Sequence, residues 1–233
     1  MEKIKNLCVI VTCMIFGCTP NVQENGQNND ATHPDTTIGE NMTGGNHETA
    51  TLTLAAVRSC RFDDIASEPI WQFFVRLSSE LAGNHGGLND LATLKTLGPE
   101  LRDLCAIMRF FLLAGSGGVS EAIVGDQPKD DRDVFTITRT AFKNFDADPI
   151  VEYLDSLAPI AEEHWSSLDA MNEAITQGLS GDEIGALERR LDEIEQKWEP
   201  VESLWEDLFY EHSPDVSNIV NKNPAEFTYP RSE

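Results

Sequence analysis

His164 is the side chain best suited by type to chemistry, since an imidazole can hold a metal or move a proton near neutral pH. Glu162, Glu163 and, further along, Glu195 are carboxylates that would assist it. A metal site of that kind asks for a second ligand at helical spacing, as in His-x-x-x-His, and none follows. The expectation is therefore a packed histidine beside a carboxylate. Gly115-Ser116-Gly117-Gly118 has the composition of a phosphate loop or a serine nucleophile turn. It follows a helix, lacks a Gly-Lys-Ser/Thr ending, and has Ala114 where the nucleophile turn needs glycine, so a connector is expected. Asp126, Asp130, Asp131 and Asp133 crowd one segment, without the turn glycine or closing glutamate of a calcium loop. Asn84-His85-Gly86-Gly87 reads as a turn, and His212 near a helix end would meet the helix dipole favourably if protonated. No Ser/His/Asp or Cys/His constellation assembles. No catalytic residue, metal ligand or cofactor is assigned.

The elements that position these residues are helical. Pro69 opens a helix whose Ile70, Trp71, Phe73, Phe74, Leu77 and Leu81 share a face, with a stop at Gly83. A preceding helical segment is expected near 52–65, and Asn89 caps a short helix carrying Leu91 and Leu94. From Pro99, Leu101, Leu104, Cys105, Met108, Phe111 and Leu112 recur at three and four residues, and Ile107, Phe110 and Leu113 fill the other faces. A helix apolar nearly all round belongs at the centre of a bundle. The glycines at 115–118 break it, and another helix runs from Asp131 to Phe145. No strand pair is evident.

The second half is more regular. Asp148-Pro149 starts a helix that should reach Gln177, with Gly178 as a left-handed cap and Ser180 to Glu183 as a capping box for the next. Ile150, Leu154, Leu157, Ala161, His164, Leu168, Met171 and Ile175 form one apolar row. Ile184, Leu187, Leu191, Ile194, Trp198, Val201, Trp205 and Leu208 form the other. Alternating threes and fours over this length predict a coiled-coil seam. The short loop predicts an antiparallel hairpin roughly 40 Å long. Pairing about Leu179-Ser180 sets Ala161 level with Trp198 and Pro159 level with Pro200, so a bend or break is expected there. The expected fold class is all-α: a helical bundle over 51–147, a helical hairpin over 148–212, and a tail over 213–233.

Charge excludes some functions and locates others. Seventeen Lys+Arg against 40 Asp+Glu give −23, which leaves no basic footprint for nucleic acid. Residues 51–147 carry 13 acids and 10 bases, a net of −3, whereas 148–211 carry 18 acids and three bases, a net of −15. The acidity is a property of one element. It points to a cationic protein partner there, or to adaptation to salt.

The N-terminus begins Met1-Glu2-Lys3-Ile4-Lys5, then runs apolar from Leu7 to Gly17. Eleven helical residues reach about 16 Å, short of a roughly 30 Å hydrocarbon core. The basic start, the short apolar run and Ile15-Phe16-Gly17-Cys18 resemble the signal of a bacterial lipoprotein. That resemblance covers residues 1–18 only. It implies cleavage after Gly17, lipid on Cys18, and attachment to the envelope membrane through that lipid. Thr19, in place of an aspartate, implies sorting to the outer membrane of a Gram-negative cell. Residues 18–50, which include His33, His47 and an Asn41-Met42-Thr43 sequon, are poor in apolar side chains and read as a flexible linker.

Cys8 and Cys13 leave with such a signal, so Cys60 and Cys105 remain, in an oxidising compartment. A Cys60–Cys105 disulfide is the expectation, with two separate buried thiols as the alternative. Two functions fit these readings: a tethered, non-enzymatic binding or assembly module using the acidic hairpin, or an enzyme or ligand-binding protein with a pocket in 51–147, near the 115–133 loops.

Overall fold

The computed structural model describes residues 51–54, 61–62, 69–85, 91–125 and 128–230. The signal, Cys18, the linker, Cys60 and Asp126 lie outside the described residues. What is described is mostly helical. In chain order it comprises β1 (Thr51–Thr53), α1 (Pro69–His85), α2 (Leu91–Thr96), α3 (Pro99–Gly117), α4 (Val119–Ile123) and α5 (Pro128–Asn144). There follow α6 (Asp148–Gln177), α7 (Gly181–Glu202), α8 (Trp205–His212), α9 (Val216–Val220) and β2 (Thr228–Pro230).

The first departure from the sequence reading is at Leu52. In place of the expected helix, β1 pairs antiparallel with β2, Leu52 opposite Tyr229. Thr51-Leu52-Thr53-Leu54 alternates polar and apolar, which is a strand period. Leu52 and Leu54 turn into the core, and Leu54 N–H bonds Phe227 O at 3.0 Å. The ladder fastens the two ends of the described chain together.

Helix α3 is the centre. Proline at its first turn costs no hydrogen bond, because that N–H would be unpaired anyway. Every residue from Leu101 to Ala114 is buried except Arg102, as the all-round apolar pattern predicts. The break comes at Gly118 alone, since Gly115 to Gly117 stay helical. Around α3 pack α2, α4 and α5, and α6 packs against α5. Helix α5 begins three residues before Asp131, at Pro128. Helix α1 buries Ile70, Phe73, Phe74, Leu77 and Leu81 and runs past Gly83 to His85.

Helix α6 buries Ile150, Leu154, Leu157 and Ala161 in that same core, so its apolar row serves the bundle as well as α7. At its end Gly178 is left-handed (φ 67°), with Leu179 N–H on Ala174 O and Gly178 N–H on Ile175 O. The Glu183 carboxylate then accepts from both N–H and Oγ of Ser180. Helix α7 does not reach Leu208. Pro200, which has no N–H to donate, weakens its last turn, and the helix ends at Glu202. After two turn residues α8 restarts. Phe209 rather than Leu208 is buried, with its ring centroid 5.0 Å from Phe111, 5.8 Å from Trp205, 6.1 Å from Phe142 and 6.4 Å from Phe62. One continuous core therefore joins 51–147 to the lower part of α6 and to α8. The outer part is thinner: on α7 only Ile194 and Trp198 are fully buried, and Ile175 is 60% exposed.

Candidate functional site

A cleft of about 1000 Å³ opens between the start of α3, the end of α5 and α9. Its walls are Pro99, Glu100 and Asp103 from α3, and Asn144, Phe145 and Asp146 from the α5–α6 turn. Pro214, Asp215, Asn218, Ile219, Lys222 and Asn223 close the third side. None of it comes from the 115–133 loops where a pocket was expected.

Each wall has a local reason. Glu100 and Asp103 stand one turn apart at the N-terminal end of α3, where a helix favours negative charge. The α5–α6 turn is a Schellman closure, Ala147 N–H on Phe142 O and Asp146 N–H on Lys143 O. It requires a left-handed residue, and Asp146 takes that place at φ 56°, where glycine is usual. Asp215 caps α9, its Oδ1 accepting from Ser217 N (2.9 Å) and Oγ (2.6 Å).

The charges in the cleft are unevenly satisfied. Asp103 is 5% exposed, and its Oδ2 accepts from Asn144 Nδ2 at 2.7 Å. Its Oδ1 accepts no hydrogen bond, and Arg102 Nε stands 3.5 Å away. Glu100 Oε2 is likewise buried without a hydrogen bond. Beyond the rim, the facing Glu100 side chain raises the pKa of Glu226, with burial adding and Asn223 opposing. Four carboxylates and one lysine line the cavity.

The sequence-predicted candidates go to other places. His164 Nδ1 accepts from Trp198 Nε1 at 3.3 Å. Burial lowers its pKa, against the opposing charge of Glu195. It is a packed histidine, partnered by an indole. Glu163 reaches Lys197 and Glu162 reaches Arg132, so neither attends the imidazole. The glycine connector is occupied by the protein itself: Glu202 Oε2 and Oε1 accept from Val119 N (2.6 Å) and Ser120 N (2.9 Å). The acidic segment disperses. Asp133 pairs with Lys95 at 2.9 Å, and Asp131 accepts from Gly125 N at 3.0 Å near the buried Arg109. Among the described residues no three His, Cys, Asp or Glu side chains converge to hold a metal ion. His212 stands 3.7 Å from Glu211 at the end of α8. Cys105 is a fully buried free thiol whose pKa burial raises strongly. Its expected partner Cys60 lies outside the described residues, so a thiol count decides that pairing.

Sequence reasoning missed the cleft. Asp103 stands beside Arg102 and close to Glu100 and Arg109 in the sequence of α3, so its charge does not single it out. Its partners come from segments 41 and more than 100 residues away, which periodicity does not connect.

No protein-family model, no curated protein and no solved structure matches the chain.

Proposed function

We propose that the chain is a membrane-tethered lipoprotein of the bacterial envelope. Residues 1–17 serve as its signal, Cys18 as the lipid-bearing residue and 18–50 as the tether. It sits at the outer membrane, facing the periplasm or the cell surface. In this reading 148–212 is an antiparallel, coiled-coil-like hairpin, and its acidic face is a non-enzymatic binding or assembly surface for a cationic protein.

The observation that carries the reading is the charge of that element, −15 over 148–211. Support comes from the thin packing at its outer end, where Ile175 is 60% and Leu179 37% exposed. Exposed apolar side chains ringed by charge suit an interface with a hydrophobic centre and a polar rim. Opposite charge on the partner would speed and orient its docking. A lipid anchor, in turn, holds such a module at high local concentration beside other envelope proteins.

Crosslinking in intact envelopes, followed by pull-down, tests the surface. The expected product is a specific adduct with a basic protein, lost when Glu188, Asp192 and Glu195 are changed to Gln or Asn. Failure to recover any specific partner overturns it. Cys18→Ala tests the anchor separately: the protein should leave the membrane fraction or accumulate unprocessed, and unchanged membrane extraction overturns the lipoprotein assignment.

A further inference from the structure

Leu154, Ala161, Leu168 and Ile175 stand seven residues apart on α6, so they follow one line along that helix. Burial falls along the line: Leu154 and Ala161 are fully buried, Leu168 is half-buried, and Ile175 is 60% exposed. Helix α5 accounts for the gradient. It lies antiparallel to α6, with Arg139 on Asp155 and Arg132 on Glu162 at 3.3 Å and Asp169 at 3.1 Å. Phe135, between the two arginines, meets Trp165 edge-on with ring centroids 5.8 Å apart. The contact is an amphipathic helix seated by its apolar row, with basic residues along one flank. Yet α5 begins at Pro128, only four residues before Arg132, and α6 runs on to Gln177 without it.

We infer that the outer end of α6, with Ile175 at its centre, docks a short amphipathic helix with a basic flank, supplied by another protein. The inference rests on the reading of 148–212 as a surface for a cationic protein, and it names where and in what form that partner sits. Beyond α5 the surface repeats the chemistry that α5 satisfies. Ile175 continues the apolar line, and Leu179, just past the Gly178 cap, is 37% exposed. Glu173 carries the acid row of Asp155, Glu162 and Asp169 one turn further. Among the described residues its carboxylate accepts only from Gln177 Nε2, at 2.8 Å. An apolar anchor beside an acid row is what an arginine-flanked helix covers, by the helix-in-groove mode of recognition. Ala170 to Gln177 extend about 12 Å, so about two turns of partner helix suffice. A second copy of the chain is a poor occupant, because its hairpin would bring a net −15 against the same charge.

Calorimetric titration of the whole chain with a synthetic peptide of about 14 residues tests this, its leucines at three- and four-residue spacing and its arginines on one flank. A shuffled peptide of the same composition, with no leucine face, is the control. The expected result is one-to-one binding with a gain of helix by circular dichroism, and about tenfold weaker binding of the shuffled peptide. Ile175→Ser, at an exposed position, should weaken binding about tenfold while the unfolding midpoint holds. Glu173→Lys should weaken it several-fold and reduce its salt dependence. Glu188→Gln with Glu195→Gln, on α7, should change it little. Equal binding of the two peptides, or binding that follows the α7 charges and ignores Ile175→Ser, would overturn the docking site and leave the acidic surface standing. A basic protein crosslinked equally well in envelopes carrying Ile175→Ser would do the same. Self-association of the chain that Ile175→Ser abolishes would overturn it in favour of a second copy. Peptide binding as expected, with no envelope adduct from the natural chain, would support the site and sink the wider assignment of a basic envelope partner.

Discussion

The carboxylate of Glu202, at the end of α7, accepts hydrogen bonds from the backbone of Val119, 83 residues earlier, at 2.6 Å and from Ser120 at 2.9 Å. A side chain from one half of the chain thus caps a helix in the other. Gly118 makes it possible. Its φ of 94° and ψ of 173° lie in a region that only glycine enters readily, and a Cβ there would sit 2.5 Å from Glu202 Oε2. Gly118→Ala should therefore cost about 2–4 kcal/mol, combining strain with a broken cap. Glu202→Ala should cost about 1–2 kcal/mol by leaving the two donors without their acceptor. Urea titration of both variants checks this, and an unchanged midpoint for Gly118→Ala would refute the contact.

Phe209 gives a second stability prediction. It is 3% exposed and touches rings from three other segments, Phe62, Phe111 and Phe142, besides Trp205 in its own helix. Phe209→Ala removes the hub and should cost about 3–5 kcal/mol. Leu208→Ala, at a half-buried position, should cost markedly less. The order of the two unfolding midpoints is the measurement. A reversal would place Leu208 inside, as one uninterrupted row from Ile184 requires.

That pair of residues shows what the sequence could and could not tell. Spacing located α1, α3, α5 and α6 within a few residues, because their apolar rows are long and uninterrupted. It placed Leu208 inward because the row was extended across Pro200; after the break at 203–204 Trp205 is buried as that row requires, but Phe209 takes the place of Leu208. The β1–β2 ladder was missed because three residues per strand give too little alternation to weigh against a helical background. Gly178 and the Ser180–Glu183 box were legible, since a cap is a local device read from neighbouring residues. The cleft was not. Asp103, Asp146 and Asp215 are each unremarkable alone, and only the packing of α3, α5 and α9 sets them around one space.

His164 should make stability depend on pH in a narrow window. Burial holds its folded pKa below the ordinary 6.5, so near and below that pH the unfolded chain binds more protons. The sign follows: its contribution is complete above the ordinary pKa and is lost as pH falls toward the folded one. Protonation also removes the Nδ1 lone pair that accepts from Trp198. His164→Gln keeps an acceptor but does not titrate. Unfolding midpoints between pH 7.5 and 5.5 should decline for the natural chain and flatten for the variant. Parallel slopes would show that other groups carry the dependence.

Cys105 should be silent to thiol reagents in the folded protein, because the thiolate is the reactive form and burial raises its pKa strongly. Unfolding without reductant should release its thiol to the reagent, as its free state in the structure requires. No thiol appearing on unfolding would establish the Cys60–Cys105 bridge instead. Cys105→Ala, leaving a small gap in the tightly packed α3, should cost about 1–2 kcal/mol.

Salt should stabilise this protein, although its visible ion pairs argue the other way. Arg132 meets Glu162 at 3.3 Å and Asp169 at 3.1 Å, while Arg139 reaches Asp155 and Lys197 reaches Glu163. These pairs are exposed, so screening them costs little. Against them stand 18 acids and three bases in 148–211, most of them unbalanced by any neighbour of opposite sign. Their mutual repulsion is relieved by the same ions, and the Debye length falls from about 30 Å at 0.01 M to about 3 Å at 1 M. The many weak repulsions outnumber the few weak attractions, so the thermal midpoint should rise from low salt to 0.5 M sodium chloride. Arg132→Ala separates the two effects. It removes two pairs and a guanidinium stacked 5.5 Å over Trp165, and should cost about 1–2 kcal/mol. Because the stacking is screened less than the pairs, that cost should shrink only in part as salt is added. A cost that vanishes entirely at high salt would show that Arg132 acts by charge alone.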